Sequence, residues 1–339
     1  MADSTLSAIR IKVRRLTRSP SAAQVTDADI NEYINTFIEY DFPEQLRLFS
    51  LKTTVTFYCQ PYQDTYRTDA WIPAALDNPL YNFKNKYISV HPPLYIAGNQ
   101  AMFSQSRDQF YALYPFVNQI NTITNGDGVT TAFNGVLTGA PVLAGSVVFA
   151  ATEAVTNAGI TFKDEPVFPW DGTGQLTNTD TGAAGGVVNY VTGVWNLDFA
   201  PNIPANDVKI TSQTVPYQPS RPQSMLYYND KFVLRPVPDQ PYAVNFEAYA
   251  RPTQLLAAVD IPELEQWWQY IAYGAAIKLL QDRLEFDTVN LLMSEFKQQE
   301  LFVLRRTLNQ QKNSRTATIY TESISAGYGQ GFGWGPGMF

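Results

Sequence analysis

The chain has 339 residues and a formal charge of -7 at pH 7, which argues against a protein that coats nucleic acid, because such a coat needs a net basic surface. Only 16% of the residues are charged while 45% are hydrophobic, so we expect a folded protein whose polar, uncharged surface suits permanent protein contacts. No apolar run approaches the roughly 18 residues of a membrane span, and the first twenty residues lack the apolar core of a secretion signal, so we expect neither.

Residues 4–18 predict a short amphipathic helix with a basic face. Its apolar positions recur at helical spacing: Leu6, Ile9, Val13 and Leu16. Its basic residues are Arg10, Lys12, Arg14, Arg15 and Arg18. A cationic face can bind nucleic acid or a membrane, but a solvated face or a contact with an acidic neighbouring subunit is commoner, and we favour that interpretation.

A second helix is predicted after Thr26, which can cap it together with Asp29 three residues later, and Pro43 ends it. The next segment, from Leu51 to Cys59, alternates apolar and polar residues and predicts a strand. Cys59 is the only cysteine, so an internal disulfide is excluded and assembly in a reducing cytoplasm is expected.

Residues 60–117 are rich in Tyr, Pro and Asn and are interpreted as irregular and loop-rich. Long ordered loops are uncommon inside a self-sufficient domain. We therefore expect neighbouring subunits to cover much of this stretch.

The composition changes in residues 118–218, where short β-type runs alternate with glycine-containing turns. The segment is also acidic, with only Lys163 and Lys209 as basic residues. A compact all-β sandwich of about seven strands is predicted, inserted into the rest of the chain.

After the insertion, three strands are predicted at 225–228, 231–236 and 242–250, the first two joined by a tight turn at Asn229-Asp230. Two antiparallel helices follow at 262–284 and 287–311, and the Gly274-Ala275-Ala276 trio allows close approach of another element. The residues expected to pack this helical bundle are Leu264, Trp267, Ile271, Ala275, Leu279, Leu292 and Phe296.

Residues 313–339 end in AGYGQGFGWGPGMF and are predicted to form an extended arm that becomes ordered on binding a partner. Isolated aromatic side chains are good anchors in pockets on a partner surface. The candidate anchors are Tyr328, Phe332, Trp334 and Phe339. The alternative is a frayed terminus.

The sequence offers little for catalysis. His91 is the only histidine and lies in VHPPLY, where nothing nearby would orient it as a base, and one histidine with one cysteine cannot form a zinc site. The glycine-containing acidic segments 125–128, 171–174 and 178–182 lack the distal Glu of a calcium loop and are better explained as hairpin turns. The Asp164-Glu165 pair is interpreted as surface turn residues. We therefore predict no enzyme, no catalytic residues, no metal and no cofactor.

Three stretches resemble the head-to-tail adaptors of short-tailed bacteriophages, the tail tubular protein A family. They are TDADINEYINTFIEYDFPEQLRLF, FVLRPVPDQPYAVNFEAYARPTQLL, and WWQYIAYGAAIKLLQDRLEFD followed by LLMSEFKQQELFVLRRT. Within the insertion, GDGVTTAFNGVL, VFPWDGTGQLT and VNYVTGVWNLDF resemble the small Ig-like modules of phage virion proteins. An insertion of this size departs from the simplest pattern of the adaptor family.

The adaptor resemblance implies a homo-oligomeric ring of twelve subunits that joins the portal protein to the tail nozzle protein. Genomic DNA would pass through the lumen without sequence-specific binding, and the insertion could contact capsid or fibres. The protein would be located in the neck of the virion. A carbohydrate- or receptor-binding virion protein that holds its ligand through Trp170 and Trp195 of the β-domain is the alternative.

The expected fold class is α+β with several domains. The adaptor body, residues 1–117 and 219–312, would be an antiparallel helical bundle with a small β-sheet. Residues 118–218 would form the inserted Ig-like sandwich and residues 313–339 the extended arm.

Overall fold

The computed structural model of the protein describes residues 4–19, 21, 23–42, 49–69 and 78–330, with side chains described as far as residue 308. These residues belong to two compact units. The helical unit covers Met1–Thr53, Tyr87–Ser89 and Tyr249–Phe339, and the β unit covers Thr54–Lys86 and Val90–Ala248.

Six α-helices are present in the described residues. They are α1 (Leu6–Leu16), α2 (Asp27–Thr36), α3 (Phe83–Lys86), α4 (Arg107–Leu113), α5 (Trp268–Asp282) and α6 (Phe286–Gln330). A π-helical turn, Phe37–Asp41, continues α2. The predicted cap of α2 is confirmed, because the Asp29 N–H donates to Thr26 Oγ1 at 3.2 Å and the Thr26 N–H donates to Asp29 Oδ2 at 3.1 Å.

In the part of the chain that the structure describes, fifteen strands form two sheets. They are β1 (Lys52–Tyr58), β2 (Thr65–Arg67), β3 (Tyr87–Ile96), β4 (Asn99–Ser104), β5 (Gln119–Asn125), β6 (Ala132–Val136), β7 (Val148–Thr152), β8 (Gly159–Pro166), β9 (Thr173–Asn178), β10 (Ala184–Asn189), β11 (Val194–Asp198), β12 (Lys209–Thr214), β13 (Ser224–Tyr228), β14 (Lys231–Arg235) and β15 (Ala243–Ala250). The seven-stranded sheet has the order β1-β15-β3-β4-β13-β14-β2, and the eight-stranded sheet has the order β5-β12-β7-β8-β9-β10-β11-β6.

The predicted fold class is wrong, because the described residues are dominated by these two large sheets and not by a helical bundle with a small sheet. Much of the error comes from residues 60–117, for which the sequence predicts irregular structure. They supply β2, β3 and β4 as well as α3 and α4. Pro92 and Pro93 lie inside β3, where proline argues against a strand on sequence grounds, and sheet pairing overrides that local preference.

The three strands predicted after the insertion are confirmed within one or two residues as β13, β14 and β15. The turn between the first two is also confirmed. Asn229 and Asp230 have φ of 50° and 53°, the left-handed conformation that a two-residue hairpin turn needs at both central positions.

The predicted insertion contains the whole eight-stranded sheet, but the two-sheet Ig-like sandwich is wrong. Its strands form one continuous antiparallel sheet that closes over its own core. The ring centroids of Phe149 on β7 and Trp195 on β11 are 4.7 Å apart, although three strands separate β7 from β11 along the sheet. A chain that curls in this way buries its inward face without a second sheet.

The prediction of an extended arm from residue 313 is also wrong as far as residue 330. The helix α6 runs from Phe286 to Gln330, a length of roughly 65 Å at the usual rise per residue. The sequence 313–324 contains no proline or glycine, so nothing in its backbone chemistry ends the helix there. Residues 331–339 lie outside the described residues.

Candidate docking interface

The helical unit is built around α5, which contacts α1, α2 and α6. The residues predicted to pack the helices lie in or against its apolar core. Leu264, Ile271, Ala275 and Leu279 are buried, while Trp267, Leu292 and Phe296 are half-buried against it. The helices therefore present a preformed, rigid body from which a surface can be displayed.

Four aromatic rings fill the centre of this core. The Phe37 ring centroid lies 5.9 Å from that of Phe42, 5.4 Å from that of Tyr270 and 6.2 Å from that of Phe296. Gly274 on α5 faces the Phe37 ring so closely that a Cβ there would lie 2.2 Å from Phe37 Cε2. The close approach expected of the Gly274-Ala275-Ala276 trio is thus confirmed.

Polar contacts tie α2 and its π-helical turn to α5. The Tyr33 hydroxyl donates to Asp282 Oδ2 at 2.6 Å, and this hydrogen bond, together with burial, raises the pKa of Tyr33 to about 12. Lys278 Nζ lies 2.7 Å from Asp41 Oδ2. These contacts fix the orientation of α5 in the helical unit.

The basic face of α1 is largely used inside the same unit. Arg14 Nη2 lies 2.5 Å from Asp27 Oδ1, and this hydrogen bond lowers the pKa of the Asp27 carboxyl. Arg10 Nε donates to Asn31 Oδ1 at 2.6 Å. Lys12 Nζ lies 5.4 Å from the centroid of the Tyr273 ring. Intramolecular partners thus account for three of the five basic residues that suggested a cationic binding face.

The opposite face of α6 carries an apolar stripe that no described residue covers. Leu291, Leu301, Phe302 and Leu308 have 74%, 53%, 44% and 52% of their surface exposed. At about 100° per residue these four side chains fall within a sector of roughly 120°, opposite the buried Val289 and Val303. The exposed Ser294, Gln298 and Arg305 lie in the same sector, between Leu291 and Leu308 along the helix. We call these four residues the α6 stripe.

The sequence interpretation missed the α6 stripe, although a signal was present. Apolar residues stand side by side at Leu291-Leu292 and at Leu301-Phe302. Neighbours on a helix point about 100° apart, so a narrow core-facing stripe does not hold both members of each pair. The helical spacing predicts packing at Val289, Leu292, Met293, Phe296 and Val303, and it gives no role to Leu291, Leu301 or Phe302.

The predicted arm residues lie at or beyond the end of α6. Tyr328 belongs to the last turn of that helix. Phe332, Trp334 and Phe339 lie outside the described residues. The structure therefore brings none of these four residues to a described partner surface.

The residues weighed for chemistry lie apart from one another. His91 is half-buried on β3. The Cys59 thiol is buried, which raises its pKa, and its Sγ accepts a hydrogen bond from the Tyr242 N–H at 3.2 Å. Asp164 is buried and accepts hydrogen bonds from the Gly145 and Val147 N–H groups, whereas Glu165 is exposed, so these adjacent carboxylates face opposite sides of the sheet.

The three glycine-containing acidic segments form turns in which a side chain accepts hydrogen bonds from backbone N–H groups. The Thr130 hydroxyl donates to Asp127 Oδ2, and the N–H groups of Thr130 and Val129 donate to Asp127 Oδ1. These hydrogen bonds lower the pKa of Asp127 to about 2. Asp171 and Asn178 accept equivalent bonds from backbone N–H groups two or three residues later. Within the described part of the chain, no group of three or more metal-binding side chains occurs.

The two tryptophans considered as a sugar platform differ in exposure. Trp195 is 3% exposed and packs on Phe149 inside the eight-stranded sheet. Trp170 is half-buried and stacks on the buried Tyr190 ring, with 5.7 Å between centroids. A pair of rings displayed to a ligand is therefore not formed by these two residues.

No family model matches the chain, and a search of curated proteins finds no match. Among the helices that the structure describes, none is both long and apolar enough to cross a membrane. The α6 stripe is an exposed apolar surface on a rigid helix of the described residues, and it is suited to contact a partner.

Proposed function

We propose that the chain is a non-enzymatic structural virion protein, a head-to-tail adaptor that forms a ring between the portal protein and the tail nozzle protein. The observation that carries the proposal is the α6 stripe. Monomeric soluble proteins rarely leave large apolar side chains clustered on one face of a rigid helix open to water, as Leu301, Phe302 and Leu308 are within about two turns of α6. A neighbouring subunit that buries these side chains would stabilise the contact by about 25 cal/mol for each Å² of apolar surface removed from water.

The ring in this proposal uses the α6 stripe as its contact between neighbouring subunits. The α6 stripe is one-sided, and it would pack against a different surface on the next copy. A heterologous contact gives a closed ring when its rotation closes on itself and an open filament when it does not, and the closed ring is what the resemblance to the adaptor family implies. Twelve copies are what the resemblance to the adaptor family implies.

The remaining parts of the proposal rest on that resemblance and on composition. The ring would sit in the neck of a short-tailed phage after assembly in the host cytoplasm, with the eight-stranded sheet free to contact capsid or fibres. Genomic DNA would pass through the lumen without sequence-specific binding. The net charge of -7 supports this role, since like charge denies the phosphates a docking site.

Glutamates in the α6 stripe are expected to prevent ring formation. Leu301→Glu, Phe302→Glu and Leu308→Glu together would place three charges in the subunit contact, whereas the folded subunit would tolerate them because all three side chains are exposed. The measurement is cryo-electron microscopy of phage heads lacking this protein after addition of the wild-type or triple-variant chain. A ring at the portal vertex is expected with the wild type only.

The matched control carries three glutamates at Val129, Val155 and Leu256, which are at least as exposed but lie outside the α6 stripe. It should form rings like the wild type. Rings formed equally well by the stripe variant, or no ring with the wild type, would contradict the proposal.

Removing residues 331–339 is expected to separate folding from attachment. The deletion takes away Phe332, Trp334 and Phe339 and leaves the described helix intact. We expect an unchanged melting temperature and at least about a tenfold loss of affinity for portal-bearing heads, since each buried aromatic contributes about 1.5–3 kcal/mol. Co-sedimentation with heads measures the affinity, and undiminished binding would exclude these residues as anchors.

A further inference from the structure

The strand β6 is an open edge of the eight-stranded sheet, since it pairs only with β11. The Phe199 N–H donates to the Thr131 carbonyl at 2.9 Å and the Leu137 N–H donates to the Gly193 carbonyl at 2.9 Å. Hydrogen-bonded positions alternate along an antiparallel pair, so the odd-numbered residues 131–137 face β11. The N–H and C=O groups of Ala132, Asn134 and Val136 therefore point outward, and no described residue bonds to them.

Strand β6 lacks the features that usually prevent an exposed edge strand from pairing with another chain. Charges, prolines, bulges and very short strands are the usual protection. The β6 sequence, AFNGV, has no charge and no proline, and its register with β11 runs without a bulge.

The other three edges of the two sheets are each protected. Strand β1 carries Lys52, and β2 has only three residues and ends on Arg67, whose Nη2 lies 2.5 Å from Asp69 Oδ2. The pairing of β5 with β12 shifts at a bulge near Ile210. The unprotected edge is thus specific to β6.

The surface beside this edge is apolar and exposed. Val136 stands opposite Val194 in the β6–β11 register, and Val187 stands opposite Asn196. The three valines are 66%, 53% and 45% exposed. Together the three valines form an apolar strip beside the edge, and this strip is exposed to water in a single subunit.

We propose that β6 pairs in an antiparallel manner with β6 of a second copy, about a two-fold axis that passes beside Asn134. The outward groups are symmetric about this residue. Asn134 would face Asn134 of the second copy, and Ala132 would face Val136 of the second copy and the reverse. Every outward N–H then meets an outward C=O, no like charges meet, and the two valine strips become continuous.

The choice of a second copy as the occupant rests on this self-complementarity. A strand with outward groups at three alternate positions needs no other sequence to complete its ladder, and a two-fold contact between identical surfaces closes by itself. The inference does not rest on the proposed function. The α6 stripe belongs to the helical unit and β6 to the β unit, so one subunit has separate residues for each contact.

Cysteine cross-linking tests the geometry directly in the full-length protein. Asn134→Cys adds one exposed thiol to a chain whose only cysteine, Cys59, is 1% exposed. In the proposed pair the two Cα atoms would be about 5.5 Å apart, within the range of a disulfide. We expect disulfide-linked dimers to form at least about tenfold faster than with Val155→Cys, whose residue is 83% exposed and far along the sequence from the edge. Equal rates would overturn the proposal.

A noncovalent measurement uses two variants that spare the ladder to β11. Asn134→Pro removes an N–H that points outward, and Val136→Lys adds an exposed charge at the edge. Sedimentation should show a dimer dissociation constant raised about tenfold or more in either variant, with an unchanged melting temperature. The stripe variant Leu301→Glu, Phe302→Glu, Leu308→Glu should keep the wild-type constant, which separates this contact from the ring. An edge variant with the wild-type constant, or a wild type that stays monomeric, contradicts the pairing.

Discussion

Asp64→Ala is expected to lower the free energy of unfolding by about 3–5 kcal/mol, because it leaves a buried guanidinium without its partner. Arg235 Nη1 lies 2.9 Å from Asp64 Oδ2, and the two side chains are only 8% and 9% exposed. The same guanidinium donates to the Leu234 carbonyl at 3.2 Å and lies 5.6 Å from the Phe116 ring centroid. These contacts hold it in place after the carboxylate is gone.

Urea unfolding followed by circular dichroism measures this loss, and the chain supplies its own control. Asp69 pairs with Arg67, but their side chains are 37% and 31% exposed, so Asp69→Ala should cost only about 0–1 kcal/mol. A double variant, Asp64→Leu with Arg235→Met, should recover most of the loss, since it removes both charges together. Equal losses of unfolding free energy in the Asp64 and Asp69 variants would show that burial does not determine how much an ion pair contributes to stability.

This ion pair lies where the sequence was least informative. Asp64 belongs to the segment interpreted as irregular, and its partner is far away in the chain. Periodicity reports only which residues of one element share a face, so it cannot pair β2 with β14 across the whole insertion. The local signals were reliable where they were strong, as at the Thr26 cap and the Asn229-Asp230 turn.

The α6 stripe also shows which features local sequence predicts and which it does not. The helical spacing of apolar residues in α6 correctly indicated Phe296 as a packing residue, because the residues of a core-facing stripe recur every three or four positions. It could not indicate that Leu301 and Leu308 stay exposed, since exposure depends on which helices pack against α6. Likewise, whether β6 is an edge strand depends on sheet order, which local sequence does not encode.

Gly274→Ala is expected to destabilise the helical unit by about 1–3 kcal/mol, the opposite of the usual effect of this change inside a helix. The added methyl carbon would lie 2.2 Å from Phe37 Cε2. Phe37 is 3% exposed and held between the rings of Phe42 and Phe296, so it has nowhere to move. The steric cost therefore exceeds the gain of about 0.5–1 kcal/mol that alanine brings to a helix.

A double-mutant cycle with Phe37→Ala identifies the cause, with thermal and urea unfolding as the measurements. In the Phe37→Ala background the methyl group enters the space that the ring leaves, so Gly274→Ala should become neutral or stabilising. Gly159→Ala is the control, because its Cβ would meet no atom within 4 Å, and it should change stability by less than about 0.5 kcal/mol. If Gly274→Ala cost the same with and without the Phe37 ring, backbone strain in α5 would be the cause. The tight aromatic packing would then not be what makes the helical unit a rigid support for the α6 stripe.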